Sequence, residues 1–181
     1  MPEAMDKKPA DRKPKTPRRI SKTYLENTAL YYLQRYATSA ENLRRVLLRK
    51  VKRSCAFHDQ PEEEFIPLVE TLVERYKTVG LLDDKNFAES KVTSLRRQGG
   101  SARAIMAKLQ VKGLSPSQIE TALKTIDEER EDAEEKAARA YAKRKKLGPW
   151  RKRAADPQKE LAAMARAGFS YDVAAKALKE D

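Results

Sequence analysis

The stretch GLSPSQIETAL at 113–123 returns as GFSYDVAAKAL at 168–178, and this pair decides the fold. In each copy a glycine stops one helix, a serine two residues later starts the next, and an Ala-Leu pair follows at the same spacing. Ser115, Pro116 and Gln118 read as N-cap, first helical residue and capping-box partner, ahead of an apolar face of Ile119, Ala122, Leu123 and Ile126. Ser170 opens a matching helix with Val173, Ala177 and Leu178. Helix punctuation that repeats in this way predicts tandem helical units, each completing its core against a neighbour.

The same grammar extends upstream. Asp83 opens a helix carrying Phe87, Val92 and Leu95, which Gly99 and Gly100 end, and Ser101 opens another with Ala102, Ile105 and Leu109 inward. Earlier still, one helix is expected to bury Leu25, Ala29, Tyr32, Leu33 and Tyr36 and to end near Ala37. Thr38 and Glu41 are expected to form a capping box for the next, which carries Leu43, Val46, Leu47 and Val51. A third starts near Pro61, buries Phe65 to Tyr76 and stops at Gly80. Downstream, the acidic stretch Asp127 to Glu135 runs into the basic stretch ending at Lys146, the polarity a helix dipole favours, and Asp156 with Pro157 restarts a helix through Met164.

The expected fold is therefore all-α. Three tandem three-helix repeat units, at 23–79, 80–126 and 127–181, form an elongated, curved array behind a disordered basic N-terminal arm at 1–22. That arm has eight basic against three acidic residues and four prolines, so it holds +5 of the net +12 of the 181-residue chain. Residues 52–64, with Cys55 and His58, read as an insertion in the first unit.

Composition narrows the function. Lys+Arg 39 against Asp+Glu 27 and a pI near 9.7 favour polyanionic partners. A single cysteine excludes an intramolecular disulfide and fits a reducing, cytoplasmic compartment, and no apolar run approaches the roughly 18 residues of a membrane span. Cys55 and His58 have metal-like spacing, but zinc needs further sulfur or nitrogen ligands and the chain has no other Cys or His. The lone histidine also removes most nucleophile–histidine chemistry, and no glycine-rich phosphate loop is present. No cofactor, no metal and no enzymatic activity are expected. Asp83 and Asp84 are the one carboxylate pair at a helix junction, and N-capping with dipole compensation accounts for both.

Gly80-Leu81-Leu82-Asp83-Asp84, continuing Asn86-Phe87-Ala88, resembles the signature of the RecX family of recombinase regulators. Gly168-Phe169-Ser170-Tyr171-Asp172-Val173 resembles the same family's C-terminal motif, and the likeness spans about Leu25 to Lys179. Leu82, Asp83, Asp84, Phe87, Gly168 and Tyr171 are taken as its structural signature. The resemblance implies a non-catalytic bacterial protein that binds the RecA nucleoprotein filament. It further implies restraint of ATP hydrolysis, strand exchange and co-protease action, and hence modulation of DNA repair and the SOS response.

The candidate contact residues are basic. Arg44, Arg45, Arg49 and Lys52 lie on the second helix, the last three opposite its apolar face. Arg96, Arg97, Arg103 and Lys108 flank or occupy the corresponding helix of the second unit, and Lys143, Lys145, Arg151 and Arg153 precede it in the third. At similar positions in stacked units, these would form one basic track meeting single-stranded or duplex DNA weakly and electrostatically. Tyr31, beside Arg35, is a candidate for base stacking. A monomer with no membrane contact is expected. Two other readings stay open: a freestanding helical DNA-binding or transcription-regulating protein, and a helical adaptor for acidic proteins.

Overall fold

All the helices but those starting at Ile66 and Ala133 begin where a short polar side chain takes up a backbone N–H group left without a partner in the first turn. In the computed structural model, which describes residues 16–128, 132–152, 154 and 156–179, nine α-helices follow in order. They are α1 (Lys22–Leu33), α2 (Ala40–His58), α3 (Ile66–Thr78), α4 (Asp84–Arg97), α5 (Ala102–Val111), α6 (Pro116–Glu128), α7 (Ala133–Lys145), α8 (Pro157–Arg166) and α9 (Tyr171–Leu178). Single 3-10 turns lie at Glu62–Glu64 and Gly148–Trp150, and there is no strand among the described residues. Ser21, Asp83, Ser101, Asp156 and Ser170 all accept from a backbone N–H in the first turn. Ser115 and Gln118 form the expected reciprocal box, with Ser115 N–H donating to Gln118 Oε1 at 2.8 Å and Gln118 N–H to Ser115 Oγ at 3.3 Å.

Packing divides the helices into three groups with separate cores. Leu25, Leu43, Leu47, Val51 and Val69 centre the first, Phe87, Val92, Ile105, Leu109 and Ile119 the second, and Ala138, Ala142, Met164, Phe169 and Ala177 the third. A fully buried Leu, Ile or Met contributes about 1.5–3 kcal/mol, so the alanine-rich third core holds less hydrophobic stabilisation than the other two.

The units are joined by a motif that occurs twice. Ser39, which caps α2 by accepting from Asn42 N–H at 3.1 Å, also donates its hydroxyl to the carbonyl of Lys112 at the end of α5. Ser101 caps α5 and donates to the carbonyl of Ala167 at the end of α8 at 2.6 Å. Beside the first serine, Ala40 N–H donates to Asp84 Oδ1 at 2.8 Å, and beside the second, Ala102 N–H donates to Glu134 at 3.2 Å. The start of the second helix in each of the first two units is thus pinned to the following unit twice. Gly113 and Gly168 sit against these helix starts, where a β-carbon would lie 2.8 Å from Glu41 and 2.6 Å from Ser101 Oγ respectively.

Asp83 and Asp84 consequently differ in role. Asp83 caps its own helix, whereas Asp84 stabilises the preceding unit. Asp83→Ala should cost about 1 kcal/mol. Asp84→Ala, which leaves a backbone donor unpaired at the joint, should cost about 1–3 kcal/mol, and urea unfolding of the two variants measures the difference. Equal losses would refute the assignment.

Several expectations require correction. Ser39, not Thr38, caps α2; Thr38 Oγ1 accepts from the Asn42 amide at 2.7 Å, and Glu41 pairs with Arg45 at 2.7 Å instead of closing a box. α1 ends at Leu33, so Tyr36 lies beyond it and is 56% exposed, tilted against Tyr32 at 5.0 Å. α3 begins at Ile66, after the 3-10 turn, not near Pro61. Within the segment 52–64, read as an insertion, α2 continues to His58, burying Ser54 and Cys55, before Asp59 turns the chain at φ 52°. That extension holds the end of the arm. Ser54 Oγ donates to the Arg18 carbonyl at 2.7 Å, His58 Nε2 lies 2.8 Å from the Pro17 carbonyl, and Ile20 is buried, so the chain from Pro17 to Ile20 is anchored although it was read as part of a disordered arm. The rest of that arm, 1–15, lies outside the described residues.

Candidate nucleic-acid interface

A cation is available to a phosphate only when no carboxylate of its own chain neutralises it, so pairing sorts the candidates. On α2, Arg44 Nε lies 2.6 Å from Glu70 and Arg45 Nε 2.7 Å from Glu41. Arg45 also reaches the Val111 carbonyl of the second unit at 3.5 Å. Arg49 and Lys52 are exposed and make no ion pair among the described residues. They are the free cations of the first unit's predicted set. Tyr31 is 55% exposed, and the Arg35 guanidinium lies 4.1 Å from its ring centre.

Arg96 is not on a basic surface. It is 7% exposed, holding Asp127 through Nε and Nη2, Glu134 through Nη1, and the Gly100 carbonyl at 3.1 Å. Burial works against its positive charge, but the hydrogen bonds and field of Asp127 and Glu134 more than offset this and hold its pKa above the usual value. A lysine or arginine at i and i+1 in a helix end looks alike in sequence; here Arg97 is exposed while Arg96 faces the joint. The two carboxylates that claim it lie 31 and 38 residues away.

The remaining candidates scatter. Arg103 is exposed at the start of α5, Lys108 on its outer side, and Lys143 in the last turn of α7. Arg151 donates to the Gly148 carbonyl at 2.9 Å and lies 3.9 Å from Glu160. Arg153 lies outside the described residues. When the units are registered on Ser39 and Ser101, Arg45 and Arg49 correspond to Ala107 and Val111, so the charge does not recur at equivalent positions as the sequence suggested.

Lys108 and Lys145 do converge. With Arg144, which lies in the same basic run as Lys145, and Arg166, which was not among the candidates, they line an open cleft of about 470 Å³ between the second and third units. Arg166 carried no signal in the sequence, because a lone arginine in an alanine-rich helix end reads as a dipole partner.

Of the signature residues, Leu82 and Phe87 are buried and Gly168 adopts φ 93°. Tyr171 is corrected: it is 71% exposed at the first turn of α9 and supports no core. Another charged group was missed. Glu160 is 5% exposed at the position that Ile105 fills in the second unit, and it accepts from Gly148 N–H at 3.2 Å, tying down the basic loop after α7. Burial chiefly, with Glu62, Glu63 and Glu64, pushes the Cys55 thiol above its ordinary value, the opposite of what a nucleophile or metal ligand requires.

Fold and surface together define a modular three-helix-repeat protein that displays exposed cations without an ion-pair partner among the described residues. Residues 83–123 match the family model described as "RecX, second three-helix domain". The chain is 46% identical over 177 residues to "Regulatory protein RecX" of Myxococcus xanthus, covering 96% of this chain and 93% of that one. It is 33% identical over 159 residues to the protein of the same name from Agrobacterium fabrum, covering 86% and 82%. The crystal structure of RecX from Lactobacillus salivarius shares the fold, with a TM-score of 0.64 at 19% identity over 87% of this chain and 94% of that one. The chain belongs to the RecX family of regulatory proteins.

Proposed function

We propose that this protein is a non-catalytic regulator that binds the RecA nucleoprotein filament and lowers its ATPase, recombinase and co-protease activities. It would act in the cytoplasm as a monomer and thereby moderate DNA repair and the SOS response. The observation that carries this reading is a surface with unpaired cations on successive units, Arg49 and Lys52 on α2 and the cluster around Lys108 and Lys145, in a chain whose relatives are named as regulatory proteins. Charges presented on separate rigid units suit a partner that is itself repetitive, because each unit then meets another phosphate or acidic group.

The direct test is DNA-dependent ATP hydrolysis by RecA from the same source. A few-fold molar excess of the protein should suppress it, and undiminished hydrolysis refutes the proposal. Reversing the two free cations of α2, as Arg49→Glu with Lys52→Glu, should raise the concentration needed for half-inhibition by about tenfold at moderate salt and by less at high salt. Circular dichroism should show the helices intact, since neither side chain is paired or buried.

A further inference from the structure

The joint between the second and third units repeats the joint between the first and second, with one chemical difference. Registered on Ser39 with Ser101, Asp84 with Glu134 and Lys112 with Ala167, the positions of Val46, Ser94, Leu95 and Val111 at the first joint are held at the second by Lys108, Arg144, Lys145 and Arg166 respectively. The first joint is built without those charges, so stacking the units does not need them. Placing four like charges around one cleft opposes folding by mutual repulsion. No acidic side chain lines the cleft, and all four cations are exposed and outside any ion pair among the described residues. Arg144 is already positioned, with Nη1 donating to the Gln98 carbonyl at 2.5 Å and its guanidinium 5.4 Å from the Tyr141 ring centre.

We infer that this cleft is a binding site for the phosphodiester backbone of nucleic acid, with phosphate oxygens bridging Lys108 of the second unit to Arg144, Lys145 and Arg166 of the third. Guanidinium groups match phosphate oxygens in pairs, and lysine adds compact charge. The cleft offers no platform for a base, because the half-buried Tyr141 ring is occupied by Arg144 on one side and lies 5.7 Å from the Phe169 ring centre. Recognition is therefore of the backbone and indifferent to sequence. Since the cations come from both units, a bound strand clamps the joint and resists changes in the angle between them. The choice of nucleic acid over an acidic protein rests on the regulatory reading above; the site itself does not.

The test is binding of a fluorescent single-stranded oligonucleotide to the full chain, without RecA, across a salt series. Lys108→Gln with Arg166→Gln should weaken binding about tenfold near 0.1 M salt and flatten the slope of log affinity against log salt by about 1.4, as expected for two lost contacts to a single strand. Lys108→Arg with Arg166→Lys should restore both. Unchanged affinity and slope in the glutamine variant overturn the site. So does loss of RecA inhibition with DNA binding intact, which would place an acidic protein surface in the cleft, and so does displacement of the strand by micromolar ATP, which would make it a nucleotide pocket. If the unaltered chain binds DNA in the predicted way but leaves RecA uninhibited, the regulatory proposal fails and the site stands.

Discussion

Replacing Arg96 by alanine is expected to lower the free energy of unfolding by about 3–5 kcal/mol, the largest loss at any charged position of this chain. One guanidinium satisfies carboxylates from two different elements, Asp127 near the end of α6 and Glu134 in the first turn of α7, together with the Gly100 carbonyl. Its removal strands two partly buried negative charges at the joint, and Glu134 then repels Asp127 while still accepting from Ala102 N–H. Urea denaturation followed by circular dichroism measures the effect. The midpoint should fall, and the slope should also change if the third unit, with its alanine-rich core, detaches first. Arg96→Lys should recover only part of the loss, because an ammonium group cannot span both carboxylates in the plane of a fork. A loss below about 1 kcal/mol for the alanine variant would show that the pairing is not structural.

Gly99→Ala should cost about 2–4 kcal/mol, against about 1 kcal/mol for Gly80→Ala. Both glycines close a helix at φ 74°, so both substitutions carry the same left-handed backbone strain. They differ in surroundings. A β-carbon at Gly80 meets nothing within 4 Å, while one at Gly99 would lie 2.6 Å from the Tyr141 amide nitrogen and 2.9 Å from the Ala137 carbonyl. Those are backbone atoms of α7, and they can retreat only if the α4–α7 contact opens. Thermal unfolding of the pair isolates the steric part, and equal shifts in Tm would refute the close approach.

Much of the architecture was legible because helix boundaries are local events. Ser115, Gln118, Ser101 and Asp83 cap the helices assigned to them, since a cap needs only a short acceptor within three residues of a free N–H. The failures occurred where two local options were equivalent. Thr38 and Ser39 are both good caps, and the choice fell to Ser39 because its hydroxyl also reaches the Lys112 carbonyl, 73 residues distant. The extension of α2 through 52–58 was read as an insertion because its buried residues, Ser54 and Cys55, are small and make no apolar stripe; Ser54 and His58 are held by the backbone at Arg18 and Pro17, while Cys55 joins the first core.

Charge was less legible than shape. Net charge and basic residues on outer helices follow from composition and helical spacing, and family membership follows from motifs spread along the chain. Spacing cannot say which cations remain free, because pairing is settled by residues far away in sequence: Glu70 takes Arg44, and Asp127 and Glu134 take Arg96. Nor can it bring Lys108 beside Arg166, which meet only because the end of one unit's second helix docks on the start of another's. By itself the sequence determined the helices, their order and their excess of positive charge, since these rest on interactions within a few residues. Only the tertiary structure decided how the units join and where the charge is exposed, since burial and Coulomb pairing act through space between residues the chain separates.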